Sequence, residues 1–392
     1  MGLKLKPLTE QVMVITGASS GIGLVTARLA AKRGCRGLVL AARSDDALHQ
    51  LEHEINAGGR TQAVAVECDV ADETALRRVA ETALQRFGGF DTWVNNAGVS
   101  VYGRLSEVSR EDHRRLFETN FWGVVNGSLI AMEHLGARTG GNGNRQYGGA
   151  LINIGSTLSD RAIPLQGMYV ASKHAVKGFT DALRMEVEEA KMPMSVTLIK
   201  PAAIDTPYTD HAKNYLQDAP RNPPPVYAPE LAAETILYAA EHAVRDLFVG
   251  SAGKAFSMAE HYAPRLTDLM MEKTMFRQQH SGRPRRERNA LHKASHDLRD
   301  RGSNNQSTRE WSAYTTAATH PKETLLTLVG ITALAVGVAV ALLQPSRPKT
   351  TREKVQAYMR QLPRQAQQGS RWLAENTREL ARAPRRWAES WH

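Results

Sequence analysis

The chain alternates short apolar runs, rich in β-branched residues, with longer segments of helical periodicity from residue 11 to about residue 250. Runs that are apolar throughout are typical of parallel strands that have helices on both faces of the sheet. The pattern predicts an α/β fold with a doubly wound, seven-stranded parallel sheet. The predicted strands are Val12–Thr16, Leu38–Ala42, Ala63–Val66, Thr92–Asn95, Ala150–Ile154, Ser195–Ile199 and Leu247–Val249.

The helical segments between these runs are the next feature of the pattern. They are Gly21–Arg33, Asp72–Phe87, Glu111–Leu135, Met168–Ala190 and Pro229–Val244. In a sheet of this kind, ligands bind beyond the carboxyl ends of the strands. The residues that follow each predicted strand are therefore the first candidates for a functional site.

The C-terminal third has a different composition. Residues 276–322 hold ten Lys and Arg against four acidic residues, and residues 344–392 hold eleven against four. The net charge of +10 therefore belongs to this third, and nucleic-acid binding by the first 275 residues is not expected. We predict four parts: an α/β domain at 1–275, a basic and partly disordered linker at 276–322, a hydrophobic segment at 323–344, and a basic amphipathic tail at 345–392.

Residues 324–343 form a run of 20 residues without a charge, which is long enough for a transmembrane helix. The alternative is a buried helix that packs on the α/β domain. Basic residues follow the run and favour a cytoplasmic tail, but residues 1–10 show no signal peptide and favour a cytoplasmic α/β domain as well. A single span would place the tail and the α/β domain on opposite sides of the membrane. If the tail instead lies on an anionic membrane surface, both can be on the cytoplasmic side. We expect a membrane protein, single-pass or peripherally tethered, whose α/β domain faces the cytoplasm.

Cysteine and histidine usage predicts neither disulfides nor a metal site. Cys35 and Cys68 each lie in an apolar neighbourhood and are expected in the core. His113 and His134 have no second ligand at a suitable spacing. No metal is therefore expected.

A glycine-rich loop lies between the first predicted strand and the first helix. Its spacing is G-x-x-x-G-x-G, and glycine lets the backbone approach a pyrophosphate at the positive end of the helix. The alternative is a purely structural turn. The residues expected to bind the dinucleotide here are Gly17, Ser19, Ser20, Gly21, Ile22 and Gly23.

The end of the second strand carries an arginine where many dinucleotide folds carry an acid. Arg43 could hold a ribose 2′-phosphate by charge-assisted hydrogen bonds, which favours NADP(H) over NAD(H). Asp45 and Asp46 follow closely and weaken this preference, although they also suit the first turn of the next helix.

Tyr169 and Lys173 are four residues apart on a predicted helix and so lie on one face. A nearby ammonium stabilises phenolate, so this pair could transfer a proton near neutral pH. The pair alone does not decide the matter, because Tyr and Lys at this spacing often only share a helix surface.

Other residues add context to the pair. Ser156 follows a predicted strand, Asn120 lies in the run Thr-Asn-Phe-Trp-Gly, and Asn95–Gly98 reads Asn-Asn-Ala-Gly. Together with the glycine loop and Tyr169, these motifs resemble the short-chain dehydrogenase/reductase family in order and spacing. The resemblance covers residues 11 to about 255 and implies a Rossmann-type fold and an NADP(H)-dependent oxidoreductase that interconverts a carbonyl and an alcohol.

The resemblance also implies roles for single residues. Tyr169 would act as general acid or base, and Ser156 would hydrogen-bond the substrate oxygen. Lys173 would lower the pKa of Tyr169 and bind the nicotinamide ribose, and Asn120 would anchor a water. The remaining residues that the resemblance implies as cofactor contacts are Asp69, Val70, Asn96, Ala97, Gly98, Pro201, Ile204 and Thr206.

One position departs from the family pattern. Ala202 stands where the family has glycine after Pro201, so the loop near the nicotinamide could be stiffer or displaced. Substrate walls are expected from Val99–Leu105, Leu158–Met168 and Tyr208–Tyr227, whose apolar residues suit a small hydrophobic carbonyl or alcohol.

By resemblance, the segments 111–135 and 168–190 would form a homodimer or homotetramer interface. A different hypothesis is a membrane-tethered, non-catalytic NADP-sensing or scaffold protein; the presence of both Tyr169 and Lys173 argues against it. A third treats the basic tail as a module for nucleic acid or anionic lipid.

Overall fold

The computed structural model describes residues 3–137, 147–295, 298–304, 306–321 and 324. The strands are β1 (Val12–Thr16), β2 (Gly37–Ala42), β3 (Gln62–Glu67), β4 (Thr92–Asn95), β5 (Val101–Tyr102), β6 (Gly149–Ile154), β7 (Met194–Pro201), β8 (Lys213–Asn214), β9 (Asp218–Pro220), β10 (Val226–Tyr227), β11 (Asp246–Val249), β12 (His280–Pro284) and β13 (Thr308–Arg309).

The α-helices follow the same order along the chain. They are α1 (Gly21–Lys32), α2 (Asp45–Ala57), α3 (Glu73–Phe87), α4 (Arg110–Phe117), α5 (Gly123–Ala137), α6 (Gly167–Glu189), α7 (Tyr208–His211), α8 (Pro229–Glu241), α9 (Ser251–Tyr262), α10 (Pro264–Gln278) and α11 (Ala313–Thr319). A wide turn of π-helical geometry, Glu118–Trp122, joins α4 to α5.

Seven strands form one parallel sheet in the order β3-β2-β1-β4-β6-β7-β11. The chain runs outward from β1 to one edge and then crosses to β4, so the strand order reverses between β1 and β4. The prediction of a doubly wound, seven-stranded parallel sheet is confirmed. In such a sheet, the crevice at this reversal is the place for a ligand.

Helices cover both faces of the sheet. Helices α1, α2 and α8 pack on one face, and α3, α5 and α6 pack on the other. Helices α3, α5 and α6 and the sheet face beneath them bury Val14, Phe90, Trp93 and Leu151 almost completely. Burial on both faces explains why the strands are apolar throughout rather than alternating.

Residues up to Thr315 belong to one compact unit, and Thr316–His392 form the second. The predicted linker at 276–322 therefore differs from what the structure shows, since most of it folds with the sheet. Its short strands pair with the loop that follows β7: β12 pairs with β9, and β13 pairs with β10. Backbone pairing of this kind is independent of side-chain hydrophobicity, so a basic, polar composition concealed it.

The predicted span at 324–343 and the tail at 345–392 lie outside the described residues, apart from Thr324. Within the described part of the chain, no helix has the length and apolar character needed to cross a bilayer.

Candidate active site

The glycine loop joins β1 to α1 through two glycines with positive φ, Gly17 at 68° and Gly21 at 53°. A Cβ on Gly23 would lie 2.2 Å from the Gly17 oxygen, and one on Gly17 would lie 2.8 Å from the Cα of Ala97. No side chain fits at either position. Helix α1 begins at Gly21 with no side-chain cap from Ser20, and Ser20, Gly21 and Ile22 at its positive end line a cleft. The loop therefore has the form that a dinucleotide pyrophosphate requires.

The segment after β4 braces this loop. The Nδ2 of Asn96 donates to the carbonyl oxygens of Thr16 and Gly17, at 2.9 and 3.2 Å. In return, the Thr16 hydroxyl oxygen accepts the N–H groups of Asn96 and Ala97 at 3.0 and 3.1 Å. The Asn-Asn-Ala-Gly motif and the glycine loop are thus one hydrogen-bonded unit.

A cavity of about 310 Å³ lies beyond the carboxyl ends of the strands. Three of the predicted catalytic residues line it, namely Ser156, Tyr169 and Lys173. The loop residues predicted to bind cofactor line it as well, with the exception of Gly23, which packs against the loop itself; those that line it are Gly17, Ser19, Ser20, Gly21 and Ile22.

Different elements supply the catalytic side chains. Ser156 follows β6, and its Oγ accepts the Leu158 N–H at 3.0 Å, which leaves the hydroxyl hydrogen available. Tyr169 and Lys173 lie one turn apart near the start of α6. The Lys173 Nζ donates to the Ile154 oxygen at 2.8 Å and lies 5.8 Å from the centre of the Tyr169 ring.

Asn120 lies behind these residues, in the wide turn between α4 and α5. It is fully buried, and its side chain pairs with both backbone groups of Val99, accepting at 2.8 Å and donating at 3.0 Å. It also donates to the hydroxyl of Ser172 at 3.3 Å. Local π-helical turns of this kind are frequent at functional sites. The turn was missed in the sequence because the segment 111–135 has continuous helical periodicity.

Burial dominates the electrostatics of the tyrosine–lysine pair. It raises the pKa of Tyr169, against the lowering effect of the neighbouring hydroxyls of Tyr208 and Ser156. Burial also lowers the pKa of Lys173 to about 8. The expectation that Lys173 holds the pKa of Tyr169 below its usual value is therefore not met. Both groups are removed from water, and Lys173 is 4% exposed and directs its Nζ to the Ile154 carbonyl.

Comparison with known proteins now identifies the family. The model of the short chain dehydrogenase family matches residues 11–216. The chain belongs to the short-chain dehydrogenase family. Its relatives include the uncharacterized oxidoreductase YxnA of Bacillus subtilis, which is 47% identical over 336 residues that cover 85% of this chain and 92% of the relative. A match of this length extends past residue 275, into the segment predicted as a linker.

Other relatives and solved structures agree. The putative oxidoreductase SadH of Mycobacterium tuberculosis is 33% identical over 62% of this chain and 88% of its own length. An alcohol dehydrogenase from Thermococcus sibiricus, complexed with 5-hydroxy-NADP, is 28% identical with a TM-score of 0.51, over 61% of this chain and 95% of its own. A family member from Burkholderia phymatum, complexed with NAD, is 25% identical with a TM-score of 0.55, over 67% and 96%. This short-chain dehydrogenase is thus an oxidoreductase with a Rossmann-type nucleotide-binding fold.

The adenosine end of the cleft in this short-chain dehydrogenase carries Arg43 and Asp69. Both line the cavity, as does Val70, whereas Asp45 and Asp46 begin α2 and are exposed. The Arg43 guanidinium donates to the carbonyl oxygens of Ala290 and Leu291, the latter at 3.1 Å. Burial lowers the pKa of Arg43.

Those two carbonyls belong to a stretch that we call the crossing segment, residues 286–295 and 298–304, which passes over this end of the cleft. The Gly21 N–H donates to the Arg299 oxygen at 2.9 Å. Leu291 is fully buried, and His292 Nε2 lies 2.6 Å from Asp112 Oδ1. Sequence analysis missed the crossing segment because single buried residues such as Leu291 leave no periodic signal.

The loop after β7 brings Pro201, Ile204 and Thr206 to the cavity wall. Ala202, the departure from the family pattern, also lines the cavity, and its N–H donates to the Val249 oxygen at 2.9 Å. Across from it, a Cβ on Gly253 would lie at an ordinary contact distance of 3.5 Å from the Ala202 Cβ, but only 2.4 Å from the Thr157 Oγ1.

The substrate end of the short-chain dehydrogenase cavity is apolar. Leu158 and Ile163 line it, as the sequence indicated, but Tyr102 does not, because it is fully buried in a separate cluster. Helices α9 and α10 supply walls that sequence analysis did not find: Phe256, Met271 and Met275. These residues fall after residue 250, where the strand–helix alternation has ended.

Proposed function

We propose that this protein is an NADP(H)-dependent oxidoreductase that interconverts a carbonyl and an alcohol on a small hydrophobic substrate. The observation that carries the proposal is a single cavity with two ends. Tyr169, Ser156 and Lys173 meet at an apolar end, and the glycine loop and Arg43 lie at the other.

The mechanism follows from the chain's own groups. NADPH, when bound, supplies the hydride for the carbonyl carbon. Tyr169 donates its hydroxyl proton to the carbonyl oxygen, and Ser156, whose Oγ accepts the Leu158 N–H, donates its own hydrogen to the same oxygen. A lysine with a pKa of about 8 is largely protonated at neutral pH, so Lys173 can return a proton to Tyr169.

Arg43 supports NADP(H) as the preferred cofactor. It stands at the carboxyl end of β2, and the neighbouring carboxylates Asp45 and Asp46 are directed into solvent at the start of α2. A guanidinium binds phosphate by paired, charge-assisted hydrogen bonds. The relatives with solved structures include one NADP-type complex and one NAD complex, so the preference rests on Arg43.

The decisive assay measures NADPH oxidation by the full chain with a panel of aldehydes, ketosteroids, retinal and 3-ketoacyl esters, with NADH in parallel. Turnover with NADPH is expected for at least one hydrophobic carbonyl. Tight NADPH binding without turnover of any compound would instead favour the NADP-sensing or scaffold function.

The variant Tyr169→Phe tests the proton donor. It removes only the hydroxyl, so NADPH affinity should stay within about twofold while turnover falls by at least about 10³-fold. Tyr215→Phe is the matched control, because that hydroxyl bonds to Asp112 at 2.6 Å and not to the catalytic group. Normal turnover by Tyr169→Phe would show that another group supplies the proton.

Self-association is a further part of the proposal. Trp122, Leu129 and Met185 are 47%, 40% and 61% exposed in the turn before α5, on α5 and on α6. Large exposed apolar side chains on these elements suit a homodimer or homotetramer interface. Light scattering on the full chain should give a mass of two or four chains, and Met185→Glu should lower it.

The membrane tether at 324–343 rests on the sequence alone. If it spans or lies on a membrane with the catalytic domain in the cytoplasm, the full chain should sediment with membranes and a chain ending at residue 321 should not. Equal behaviour of the two would favour a helix packed on the catalytic domain.

A further inference from the structure

Two arginines from different elements converge on one backbone oxygen of the crossing segment. Arg43 follows β2, Arg115 lies on α4, and both guanidinium groups donate to the Leu291 oxygen, at 3.1 and 3.2 Å. Arg43 also donates to the Ala290 oxygen. Two neighbouring oxygens thus accept from two guanidinium groups. A phosphate group is recognised in the same way, because its oxygens accept paired, charge-assisted hydrogen bonds from arginine.

The positive charge of Arg43 has no carboxylate opposite it. Asp69 Oδ2 pairs with Arg115, and Asp69 Oδ1 accepts the Ala71 N–H at 3.1 Å. Among the carboxylates of the described residues, none forms an ion pair with Arg43. Burial lowers the pKa of Arg43, and the neighbouring charge of Arg115 acts in the same direction. A phosphate would balance this charge better than neutral carbonyl oxygens do.

The arginine pair, Arg43 and Arg115, lies at the adenosine end of the cavity. Arg43, Asp69 and Ala290 line the cavity, whereas Arg115 and Leu291 do not. A phosphate in the cavity would reach the Arg115 Nε by taking the place of the Leu291 oxygen. The bond to Asp69 uses the Arg115 Nη2, so it can persist while the Nε changes its acceptor.

We propose that Arg115 is a second specificity-determining residue for NADP(H), and that the cofactor 2′-phosphate binds the arginine pair by displacing the Ala290 and Leu291 oxygens. This rests on the proposed function, in which NADP(H) is the cofactor. NAD(H) has a neutral hydroxyl in place of the 2′-phosphate and leaves the two carbonyls on the arginines. The crossing segment therefore responds to one cofactor and not to the other.

The test compares two ligands that differ only in the 2′-phosphate, adenosine 2′,5′-bisphosphate and adenosine 5′-monophosphate. Calorimetry on the full chain measures their binding without turnover. Arg115→Met should weaken the bisphosphate about 10-fold and the monophosphate by less than about twofold, because the charge-assisted hydrogen bond exists only with the bisphosphate. Arg114→Met is the matched control. It removes the same charge from an exposed position on α4 and should change either affinity by less than about twofold.

Arg115→Lys covers the case in which Arg115→Met does not fold. Lysine keeps the charge beside Asp69 but lacks the planar fork, so it cannot direct one nitrogen to the carboxylate and another to the phosphate. The preference for the bisphosphate should fall in this variant too, by about threefold or more. Equal losses for both ligands would show that Arg115 contacts the adenosine or only supports the fold. That result, or an unchanged preference, overturns the inference.

Hydrogen exchange tests the displacement itself. The Ala290 oxygen and the Leu291 N–H belong to one peptide group, and that N–H donates to Asn289 Oδ1 at 3.2 Å. If the 2′-phosphate turns this peptide group aside, residues 286–295 should exchange faster with the bisphosphate than with the monophosphate. Equal or slower exchange would show that the segment stays in place over the ligand, which overturns the displacement.

The outcomes separate this inference from the proposed function. A chain that turns over no carbonyl refutes the oxidoreductase, whereas a reduced bisphosphate preference in Arg115→Met would still support the arginine pair. A chain that oxidises NADPH with a carbonyl but keeps its full preference in Arg115→Met retains the proposed function and refutes the inference. A wild-type chain without a preference for the bisphosphate refutes it as well.

Discussion

Replacing Lys173 with methionine removes a buried ammonium from the cavity wall. Burial lowers the pKa of Lys173 from 10.5 to about 8, which means that folding opposes its charged form. Below pH 8 Lys173 is protonated in both the folded and the unfolded chain. The full cost of burying its charge, about 3 kcal/mol, is then subtracted from the free energy of unfolding. Between pH 8 and 10.5 only the unfolded chain keeps it, so stability rises with pH in this window.

The difference in unfolding free energy between wild type and Lys173→Met isolates this effect. Methionine fills a similar volume. The variant also loses the hydrogen bond to the Ile154 oxygen, but this loss changes its unfolding free energy by nearly the same amount at every pH. From about pH 7 to about pH 9.5, wild type should gain about 2 kcal/mol relative to the variant. Urea unfolding followed by tryptophan fluorescence measures it, since Trp93 is fully buried.

Lys177→Met is the matched control, one turn further along α6. A hydrogen bond to Asp160 raises the pKa of Lys177, so its contribution is constant below about pH 10 and is lost only above. Its difference from wild type should stay flat over the same range. Parallel pH curves for wild type and Lys173→Met would refute the argument that Lys173 is buried at a cost.

Other substitutions probe the two ends of the cleft and its neighbours. Arg43→Ala should weaken NADPH binding by about 10- to 100-fold and NADH binding by less than about threefold in a fluorescence titration; equal losses would remove the case for NADP(H). Gly23→Ala places a Cβ 2.2 Å from the Gly17 oxygen and should abolish cofactor binding or lower stability by more than about 2 kcal/mol. Gly178→Ala, with nothing within 4 Å, should stabilise α6 by about 0.5–1 kcal/mol. Tyr102→Phe removes a buried hydroxyl that has no partner among the described residues, and thermal unfolding should show no loss of stability.

The sheet was predictable because burial of both its faces by helices produces both the apolar runs in the sequence and the parallel sheet in the fold. Covering both faces demands apolar residues at every position, and β1 and β4 were predicted to the residue. The glycine loop was predictable for a similar reason, since close backbone approach excludes every side chain at Gly17 and Gly23. The predicted core positions of Cys35 and Cys68 are likewise confirmed, with 0% and 2% exposure.

What sequence reasoning missed depends on contacts between distant parts of the chain. The crossing segment is held by its backbone carbonyls and also by its arginines. Arg286 and Arg299 pair with Asp210, and Arg301 pairs with Glu230. These carboxylates lie about 70 or more positions away in the sequence, so the basic composition gave no sign of order. Gln166 and Gln279 are 113 positions apart and meet only in the folded chain. The direction of the Tyr169 pKa was also wrong, because a helix-face argument fixes neighbours but not the loss of water around them.

The contacts that Arg309 and Thr315 make with the preceding residues determine where a stable fragment of this protein can end. Thr315 accepts the Gly250 N–H at 2.9 Å and donates to the Phe248 oxygen at 3.4 Å, and the Ala228 N–H donates to the Arg309 oxygen at 3.0 Å. A fragment that stops at residue 275 would lose these bonds together with Gln279. An expression fragment for the catalytic domain, or a junction for a fusion partner, therefore belongs beyond Thr315 rather than at the boundary that composition suggests.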